Sequence, residues 1–152
     1  MPAGQLSTRP ARLEDEEIVV GLMRDFYVEE HLVFDELIAR RAIHELLGHP
    51  ALGAILLLEA DGVIVGHATV TFGFSLEFHG RYALLDELYL IPSTRGRGWG
   101  RRALELAAEV ASASGTATLR LEVNHANVHA RSVYLKAGFQ DNRRDLFTKW
   151  LT

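Results

Sequence analysis

Three glycines and four arginines between residues 95 and 102 are the residues whose types and spacing point most directly to chemistry. Glycine lets the backbone adopt positive φ and approach a ligand closely, and a helix N-terminus offers free N–H groups to an anion. Cations at that end of a helix are unfavourable by about 0.3–1 kcal/mol each, a cost that a bound anion would reverse. The segment therefore predicts a phosphate-binding loop, with a solvated basic turn as the alternative; its residues are Arg95, Gly96, Arg97, Gly98, Gly100, Arg101 and Arg102.

Two common phosphate-binding loops do not fit this segment. A Walker A loop requires a Gly-Lys pair, and the chain contains none. A dinucleotide-binding fingerprint requires G-x-G-x-x-G, and Arg101 stands where the third glycine is needed. Only one further strand–helix pair follows, which is too few for a doubly wound sheet. A third pattern, Arg-x-x-Gly-x-Gly, is matched by Arg95, Gly98 and Gly100.

Two adjacent acids, Asp86 and Glu87, interrupt the apolar segment 82–91 just before the loop. The segment is typical of a strand covered on both faces, and Pro92 ends it. Alternation directs the two acids to opposite faces unless a β-bulge re-aims one. One of them could orient a water that takes a proton from an amine. The alternative is a structural pair between one acid and an arginine.

Composition places the chain among ordinary globular proteins and limits its partners. At 152 residues, 48% of them apolar, it suits one domain with a full core, residues 1–152. A net charge of -4 and a pI of about 6.0 argue against nucleic acid or an anionic membrane as the main partner. There is no cysteine, and no apolar run is long enough to span a membrane. Since no signal-peptide pattern is present either, we expect a cytoplasmic protein.

Hydrophobic periodicity predicts the elements that must position the loop and the acids. Their order is β, α, α, β, β, β, α, β, α, β, a mixed sheet with helices on both faces. Asp61-Gly62 between two apolar runs marks a hairpin turn, and a right-handed crossover makes strand 117–123 parallel to strand 82–91. The predicted strands are 5–12, 54–60, 63–73, 82–91, 117–123 and one or two within 139–151, and the predicted helices are 14–27, 34–47, 98–114 and 127–136.

The loop and three further segments resemble the GCN5-related N-acetyltransferase (GNAT) superfamily, which binds acetyl-coenzyme A. Arg-x-x-Gly-x-Gly resembles its pyrophosphate loop, and Asp-Glu-Leu-Tyr-Leu-Ile-Pro before it resembles its fourth strand. Arg-Pro-Ala-Arg-Leu-Glu-Asp resembles its first strand and helix entry, and Asn, Ala, Tyr and Gly-Phe within 127–139 resemble its closing signature. The resemblance implies an α/β (α+β) fold. Its mixed, mostly antiparallel sheet would have six to seven strands, helices on both faces, and a splay between strands 82–91 and 117–123.

The resemblance also implies how acetyl-coenzyme A is held. The loop would bind the pyrophosphate, and the pantetheine arm would enter the splayed crevice and pair with backbone groups of the fourth strand. One backbone N–H there would face the thioester carbonyl as an oxyanion donor. The superfamily usually has Ile, Leu or Val at position 99, so Trp99 must pack under the helix or lie near the ligand. The implied coenzyme-binding residues are Leu88, Tyr89, Leu90, Arg95, Gly96, Arg97, Gly98, Trp99, Gly100, Arg101, Asn127, Ala130 and Tyr134.

Tyr134 is the candidate general acid, with Glu87 or Asp86 as the candidate base. Asn127, Ala130 and Tyr134 are spaced i, i+3, i+7 and line one helix face. A phenol titrates at about 10 and a thiol at about 8.5, so tyrosine stays protonated and can give or share its proton with a leaving thiolate. The superfamily's matching tyrosine has this role, and its matching asparagine contacts coenzyme A. The alternative is a packed tyrosine whose hydroxyl bonds a neighbour.

Aromatic and acidic residues come from segments that line the acceptor side in this superfamily, where acids suit a cationic amine. They are Phe26, Tyr27, Glu29, Glu30, Phe72, Phe74 and Glu77, and solvated faces are the alternative for the acids. His125 and His129 are four residues apart, but position 126 is Ala rather than the Glu of H-E-x-x-H, so we expect no metal site.

Together these features predict an acetyl-coenzyme A-dependent N-acetyltransferase that acts on a primary amine of a small cationic molecule. The same fold acting with another acyl group, or on a protein or peptide amino group, remains an alternative. A non-catalytic coenzyme A-binding regulatory module is another. Dimers are common in the superfamily, so a homodimer is also open.

Overall fold

Five strands form one open mixed sheet, and the computed structural model describes residues 4–152. The three pairings that join β1 to β4 are antiparallel, and β4 pairs with β5 in parallel, as the crossover predicts. The strands in spatial order are β1 (Ser7–Pro10), β2 (Gly53–Ala60), β3 (Val63–Ser75), β4 (Gly80–Leu90) and β5 (Leu119–Leu121). The helices are α1 (Glu16–Glu29), α2 (Glu36–Gly48), α3 (Trp99–Ala113) and α4 (Val128–Lys136).

Among the described residues, those up to Glu122 form one compact unit, which holds the sheet with α1 to α3, and those from Val123 onward form a second. In the first unit, strand alternation separates the core into two clusters on opposite faces of the sheet. Leu57 and Tyr89 face α1 and α2, whereas Leu58 and Leu90 face α3. The prediction of helices on both faces is therefore confirmed.

The β2–β3 hairpin has the turn that the sequence predicts. Asp61 and Gly62 have φ values of 52° and 76°, as a two-residue type I′ turn requires. This turn sets the register at the hairpin end, and a β-bulge opposite Leu58 and Glu59 then shifts it. Beyond the bulge, β3 pairs with β4 from Gly66↔Leu90 to Ser75↔Gly80.

Asp15, a buried carboxylate, fixes the entry of α1. Its two oxygens accept hydrogen bonds from Arg9 Nη1 at 2.8 Å and Nη2 at 3.0 Å, and Oδ2 also accepts the Arg12 backbone N–H at 2.8 Å. These bonds, chiefly those from Arg9, lower the pKa of Asp15 to about 2. The last turns of the same helix carry Phe26 and Tyr27, so its anchored start helps to position two residues predicted on the acceptor side.

The second unit contains α4, whose ends match the prediction. Asn127 is the N-cap, and its Oδ1 accepts the Ala130 N–H at 3.1 Å. At the other end Gly138 has φ 96°, and the Phe139 N–H bonds to the Tyr134 carbonyl at 3.0 Å. This pattern is a Schellman motif, which glycine favours.

The prediction of six to seven strands is wrong, because residues 4–152 form five. Residues 139–151 were expected to supply one or two strands, yet this described segment contains none. A strand exists only through hydrogen bonds to a neighbour, and strand propensity reflects packing on that neighbour. Phe147 and Trp150 have suitable side chains but are 90% and 84% exposed. β5 is likewise shorter than the predicted 117–123.

Candidate active site

The predicted phosphate loop leads directly into α3. Gly96 and Gly98 have φ values of 80° and 77°, which glycine adopts without strain. The first backbone N–H of the helix to bond back is that of Arg102, to the Gly98 carbonyl at 3.2 Å. The amides of residues 99–101 are therefore left for a ligand at the helix N-terminus.

Gly100 differs from the two loop glycines before it. Its backbone is helical, and, apart from its chain neighbours and the backbone of its own helix, no described atom lies within 4 Å of where a Cβ would stand. Neither backbone conformation nor crowding by the described protein requires glycine there, which leaves the close approach of a ligand as a reason for it.

Arg95 turns back toward the sheet and α1. Its Nη2 lies 2.6 Å from Glu29 Oε2 and donates to the Leu90 carbonyl at 2.9 Å, and its Nε donates to the same carbonyl at 3.2 Å. The guanidinium thus joins the end of β4 to the end of α1. Both partners had been predicted separately, Leu90 for the coenzyme and Glu29 for the acceptor.

Trp99 packs under α3, which decides between the two positions expected for it. Its side chain is 7% exposed and belongs to the core cluster that contains Leu90 and Ala103. Toward a ligand it offers its backbone N–H. Arg97 lies over the indole, with its guanidinium carbon 5.1 Å from the ring centroid, and this stacking holds one cation of the loop near the helix start.

β4 extends beyond its parallel partner. The β4–β5 register runs from Ala83↔Leu119 to Leu85↔Leu121, whereas β4 continues to Leu90. On that side, the last residues of β4 lie beyond the described ladder with β5. Backbone groups at the carboxyl end of such a strand are available to a ligand.

The backbone groups of successive strand residues alternate in direction, and this determines which N–H and C=O groups of β4 point to the side of β5. The Ile91 N–H bonds to Val65 of β3 at 2.9 Å, so the N–H groups of Leu88 and Leu90 point away from β3. The Tyr89 carbonyl instead faces β3, where a Cβ on Gly66 would lie 2.0 Å from it. Of the three residues predicted to pair with pantetheine, Leu88 and Leu90 therefore have N–H groups directed to that side, while the Leu90 carbonyl already accepts from Arg95.

A β-bulge in β4 separates the two candidate bases. Neighbouring residues of β3, Thr69 and Val70, pair with Glu87 and Leu85, so Asp86 is the extra residue. The Glu87 side chain is 11% exposed, whereas Asp86 is exposed. The two acids consequently meet different surroundings.

Asp86 is the acid whose surroundings strengthen it as a base. Although it reaches solvent, the protein around it removes part of its hydration, and this desolvation raises the pKa of Asp86. The like charges of Glu87 and Glu122 raise the pKa of Asp86 further. A carboxylate with a raised pKa holds a proton more readily at neutral pH.

Glu87 accepts a hydrogen bond on each oxygen. The Tyr27 hydroxyl donates to Oε2 at 3.0 Å, and His67 Nε2 lies 3.0 Å from Oε1. Burial, followed by the charge of Glu87, raises the pKa of Tyr27 above its ordinary value, so its phenol remains a donor. Sequence reasoning missed His67; the signal was a lone polar ring in the apolar strand that pairs with the acid-bearing one.

The structure separates the residues predicted on the acceptor side. The Phe26 ring lies 6.2 Å from His67 and 5.9 Å from Tyr89, centroid to centroid, so Phe26 and Tyr27 belong to the surroundings of Glu87. Phe74 is 74% exposed and lies five residues along β3 from the partner of Glu87, or roughly 17 Å at strand rise. Other residues predicted on this side are Glu30, exposed at the end of α1, Phe72, beneath the guanidinium of Arg81, and Glu77, exposed in the β3–β4 turn.

Within the second unit, Tyr134 is half-buried and its ring lies edge-on to Phe139, with centroids 6.0 Å apart. Its role as general acid and the coenzyme contacts of Asn127 and Ala130 stay predictions. Among residues 4–152 no cluster of three His, Asp or Glu side chains suits a metal ion. No helix in the described part of the chain has the length and apolar character needed to cross a membrane.

The fold and the loop between β4 and α3 define a GNAT-type α/β protein. The acetyltransferase (GNAT) family model matches residues 16–139, and the chain belongs to this family. It is 32% identical over 88 residues to the uncharacterized N-acetyltransferase YhfO of Bacillus subtilis (strain 168), covering 58% of this chain and 59% of YhfO. It is 36% identical over 78 residues to the thialysine N-epsilon-acetyltransferase of Bos taurus, covering 51% of this chain and 45% of that protein. The chain thus matches about half the length of these curated relatives.

Solved structures share the fold over nearly the whole chain. An integron cassette protein, HFX_CASS3, from the mobile metagenome of Cole Harbour Salt Marsh is 32% identical, with a TM-score of 0.83 covering 95% of this chain and 90% of that one. Aminoglycoside N-acetyltransferase AAC(6')-Iy in complex with CoA is 17% identical, with a TM-score of 0.83 covering 100% and 99%. A predicted acetyltransferase from Clostridium acetobutylicum, with acetyl-CoA, is 20% identical, with a TM-score of 0.79 covering 95% and 96%. The last two likenesses concern the fold alone.

Proposed function

We propose that residues 1–152 form a single acetyl-coenzyme A-dependent N-acetyltransferase domain that acetylates a primary amine of a small cationic molecule. Family membership supports acetyl transfer. The coenzyme or its acetyl ester is present in two structures of the same fold, and the loop amides of residues 99–101 suit its pyrophosphate.

The surroundings of the Glu87 carboxylate are the observation that supports a cationic acceptor. Its carboxylate is 11% exposed, and no Arg or Lys of residues 4–122 lies within ion-pair distance of it. A charge removed from water is costly unless it is paired. A primary ammonium would supply the missing charge, and the nearby aromatic rings of Phe26 and Tyr27 add favourable surroundings for a cation.

The chain's own groups divide the work of the reaction in this proposal. The Leu88 N–H stabilises the oxyanion that forms when the amine attacks the thioester carbonyl. Glu87 binds the ammonium, and Asp86, whose pKa is raised, takes its proton directly or through a water. Tyr134 gives a proton to the leaving thiolate, a role that rests on the resemblance to the family's tyrosine.

Steady-state thiol release with a panel of acceptors tests the proposal. Relatives are named for thialysine and for aminoglycosides, so the panel holds thialysine, lysine, neamine and a lysine-containing peptide. A lysine analogue with a hydroxyl in place of its ε-amine is the matched control, and it should not react if the ε-amine is the acceptor. Saturable turnover of at least one small cationic amine is expected. Turnover of the peptide alone would assign a protein acceptor, and calorimetric coenzyme binding without any thiol release would indicate a non-catalytic module.

A further inference from the structure

His67 is a fully buried histidine of β3 that contacts the carboxylate predicted to meet the acceptor. It is 1% exposed, and its cross-strand partner is Tyr89, two residues from Glu87. Its Nε2 lies 3.0 Å from Glu87 Oε1, while the Tyr27 hydroxyl lies 3.0 Å from Oε2. One group from the sheet and one from α1 therefore hold the two oxygens of a single carboxylate, and we call this arrangement the Glu87 clamp.

The other ring nitrogen of His67 indicates which tautomer the ring adopts. His67 Nδ1 is buried and has no hydrogen-bond partner among the described residues. An imidazolium, or a ring protonated on Nδ1, would leave a buried donor unpaired, which is unfavourable. The neutral ring with its proton on Nε2 leaves only an acceptor unpaired and donates to Glu87. Since Nδ1 is buried and has no partner among the described residues, His67 is poorly placed to relay a proton.

We propose that His67 and Tyr27 are positioning residues that orient the Glu87 carboxylate toward the acceptor amine. The proposal rests on the proposed function. Each is a neutral donor, so the clamp leaves the negative charge of Glu87 uncompensated. An ionised carboxylate has about four acceptor positions, of which the clamp uses two. The remaining positions are held in a fixed orientation, which a free glutamate side chain could adopt only at a cost in rotamer entropy.

Substitutions that keep or remove one donor separate positioning from packing. His67→Gln retains an N–H donor near the position of Nε2, whereas His67→Leu fills similar space without a donor. Tyr27→Phe removes only the hydroxyl. A hydrogen bond to a charged group contributes about 1.5–3 kcal/mol, so His67→Leu and Tyr27→Phe should each lower kcat/KM for the amine by about 10- to 100-fold. Coenzyme affinity should stay within about twofold, and His67→Gln should restore most of the rate.

A double-mutant cycle shows whether the effect passes through Glu87. In a Glu87→Gln background, Tyr27→Phe and His67→Leu should cost less than threefold, because the carboxylate that they orient is gone. Full, additive losses in that background would overturn the proposal. So would a His67→Gln variant that folds, by its melting temperature, but is as slow as His67→Leu.

A spectroscopic measurement makes the test independent of turnover. Imidazole nitrogen shifts of ¹⁵N-labelled protein at pH 7 should show His67 as the neutral Nε2–H tautomer, and Glu87→Gln should move its Hε2 resonance. An Nδ1–H tautomer or an imidazolium would overturn the clamp. If the wild-type protein acetylates no amine on the panel, the proposed function fails, and these shifts still decide whether the clamp exists.

Discussion

The Arg95 guanidinium lies 2.6 Å from the carboxylate of Glu29, so a residue predicted to bind coenzyme phosphate contacts one predicted to bind the acceptor. The same guanidinium holds the last carbonyl of β4 at Leu90. Glu29 therefore competes with any phosphate for the charge of Arg95. If coenzyme phosphate binds at the loop, as predicted, this competition links it to the end of α1.

Glu29→Gln should tighten coenzyme binding. The substitution removes the competing carboxylate and leaves the Arg95 guanidinium for an anion. Because the pair is partly exposed, its contribution is about 0.2–1 kcal/mol, which corresponds to a decrease in Kd of about fivefold at most. Calorimetric titration with coenzyme A at low and high salt measures this, and the gain should shrink at high salt. Glu30→Gln makes the same change in net charge beside the pair and should have a smaller effect; equal effects would show that only net charge matters.

Gly100→Ala should stabilise the protein and yet weaken coenzyme binding. In a helix, alanine is favoured over glycine by about 0.5–1 kcal/mol, and no described atom opposes the new methyl group. A phosphate against the helix start would meet that methyl group, so Kd should rise at least about tenfold. Gly96 and Gly98 are poorer test sites, since their positive φ makes any substitution strained.

Gly21→Ala is the matched control for this substitution. Gly21 lies inside α1, and a Cβ there would also meet no described atom within 4 Å outside its own helix. Thermal melts should show stabilisation by both substitutions, while calorimetry should show weakened binding only for Gly100→Ala. Unchanged binding in both variants would place the pyrophosphate away from Gly100.

Structural features that one short segment determines by itself were predictable from local patterns in the sequence. The Asp61-Gly62 turn, the glycine loop before α3 and the Gly138 helix end were predicted because glycine at positive φ is a local requirement. The residues alone did not decide whether β4 has a bulge at Asp86. Regular alternation and a bulge direct that side chain differently, and both were possible.

Features that depend on distant partners were not predictable in this way. Nothing near His67 in the chain shows that its ring meets Glu87, 20 residues on, because the contact follows from the β3–β4 register. Arg95 was expected to face a phosphate, and its bond to Glu29 joins residues 66 positions apart. The prediction of strands within 139–151 was wrong for the same reason, because apolar side chains alone do not specify which neighbouring strand a segment pairs with.

Tyr134→Phe should reduce turnover without loosening the coenzyme. The substitution removes the hydroxyl and keeps the ring that packs against Phe139. If the hydroxyl protonates the thiolate, kcat should fall roughly 10²–10⁴-fold when chemistry limits the rate. Coenzyme Kd should stay within a few fold. The control is Tyr82→Phe, which removes a hydroxyl near the start of β4, at the other end of the strand from Leu90. It should keep the wild-type rate. A Tyr134→Phe enzyme with wild-type kcat would show that Tyr134 contributes packing and is not the general acid.

Asp86→Asn should raise stability at pH 7 while lowering activity. The pKa of Asp86 is raised by desolvation and by the charges of Glu87 and Glu122, so folding disfavours its ionised form. Well below the ordinary carboxyl pKa of about 3.9, Asp86 is protonated in both folded and unfolded chains, and the cost is absent. As pH rises through the raised pKa of the folded state, the free-energy cost of keeping Asp86 ionised in the folded chain appears in full. The Asp86→Asn chain has no carboxyl group at this position and avoids that cost.

The difference in melting temperature between Asp86→Asn and wild type should therefore be positive at pH 7 and vanish as pH falls toward 3. Asp25→Asn removes the same charge from an exposed site on α1 and controls for net charge. The rate at neutral pH should fall and recover in part at high pH, where more of the amine is free. A stabilised variant with the wild-type rate and pH profile would show that Asp86 bears the electrostatic cost without accepting the proton. Glu87 would then be the remaining candidate base on β4.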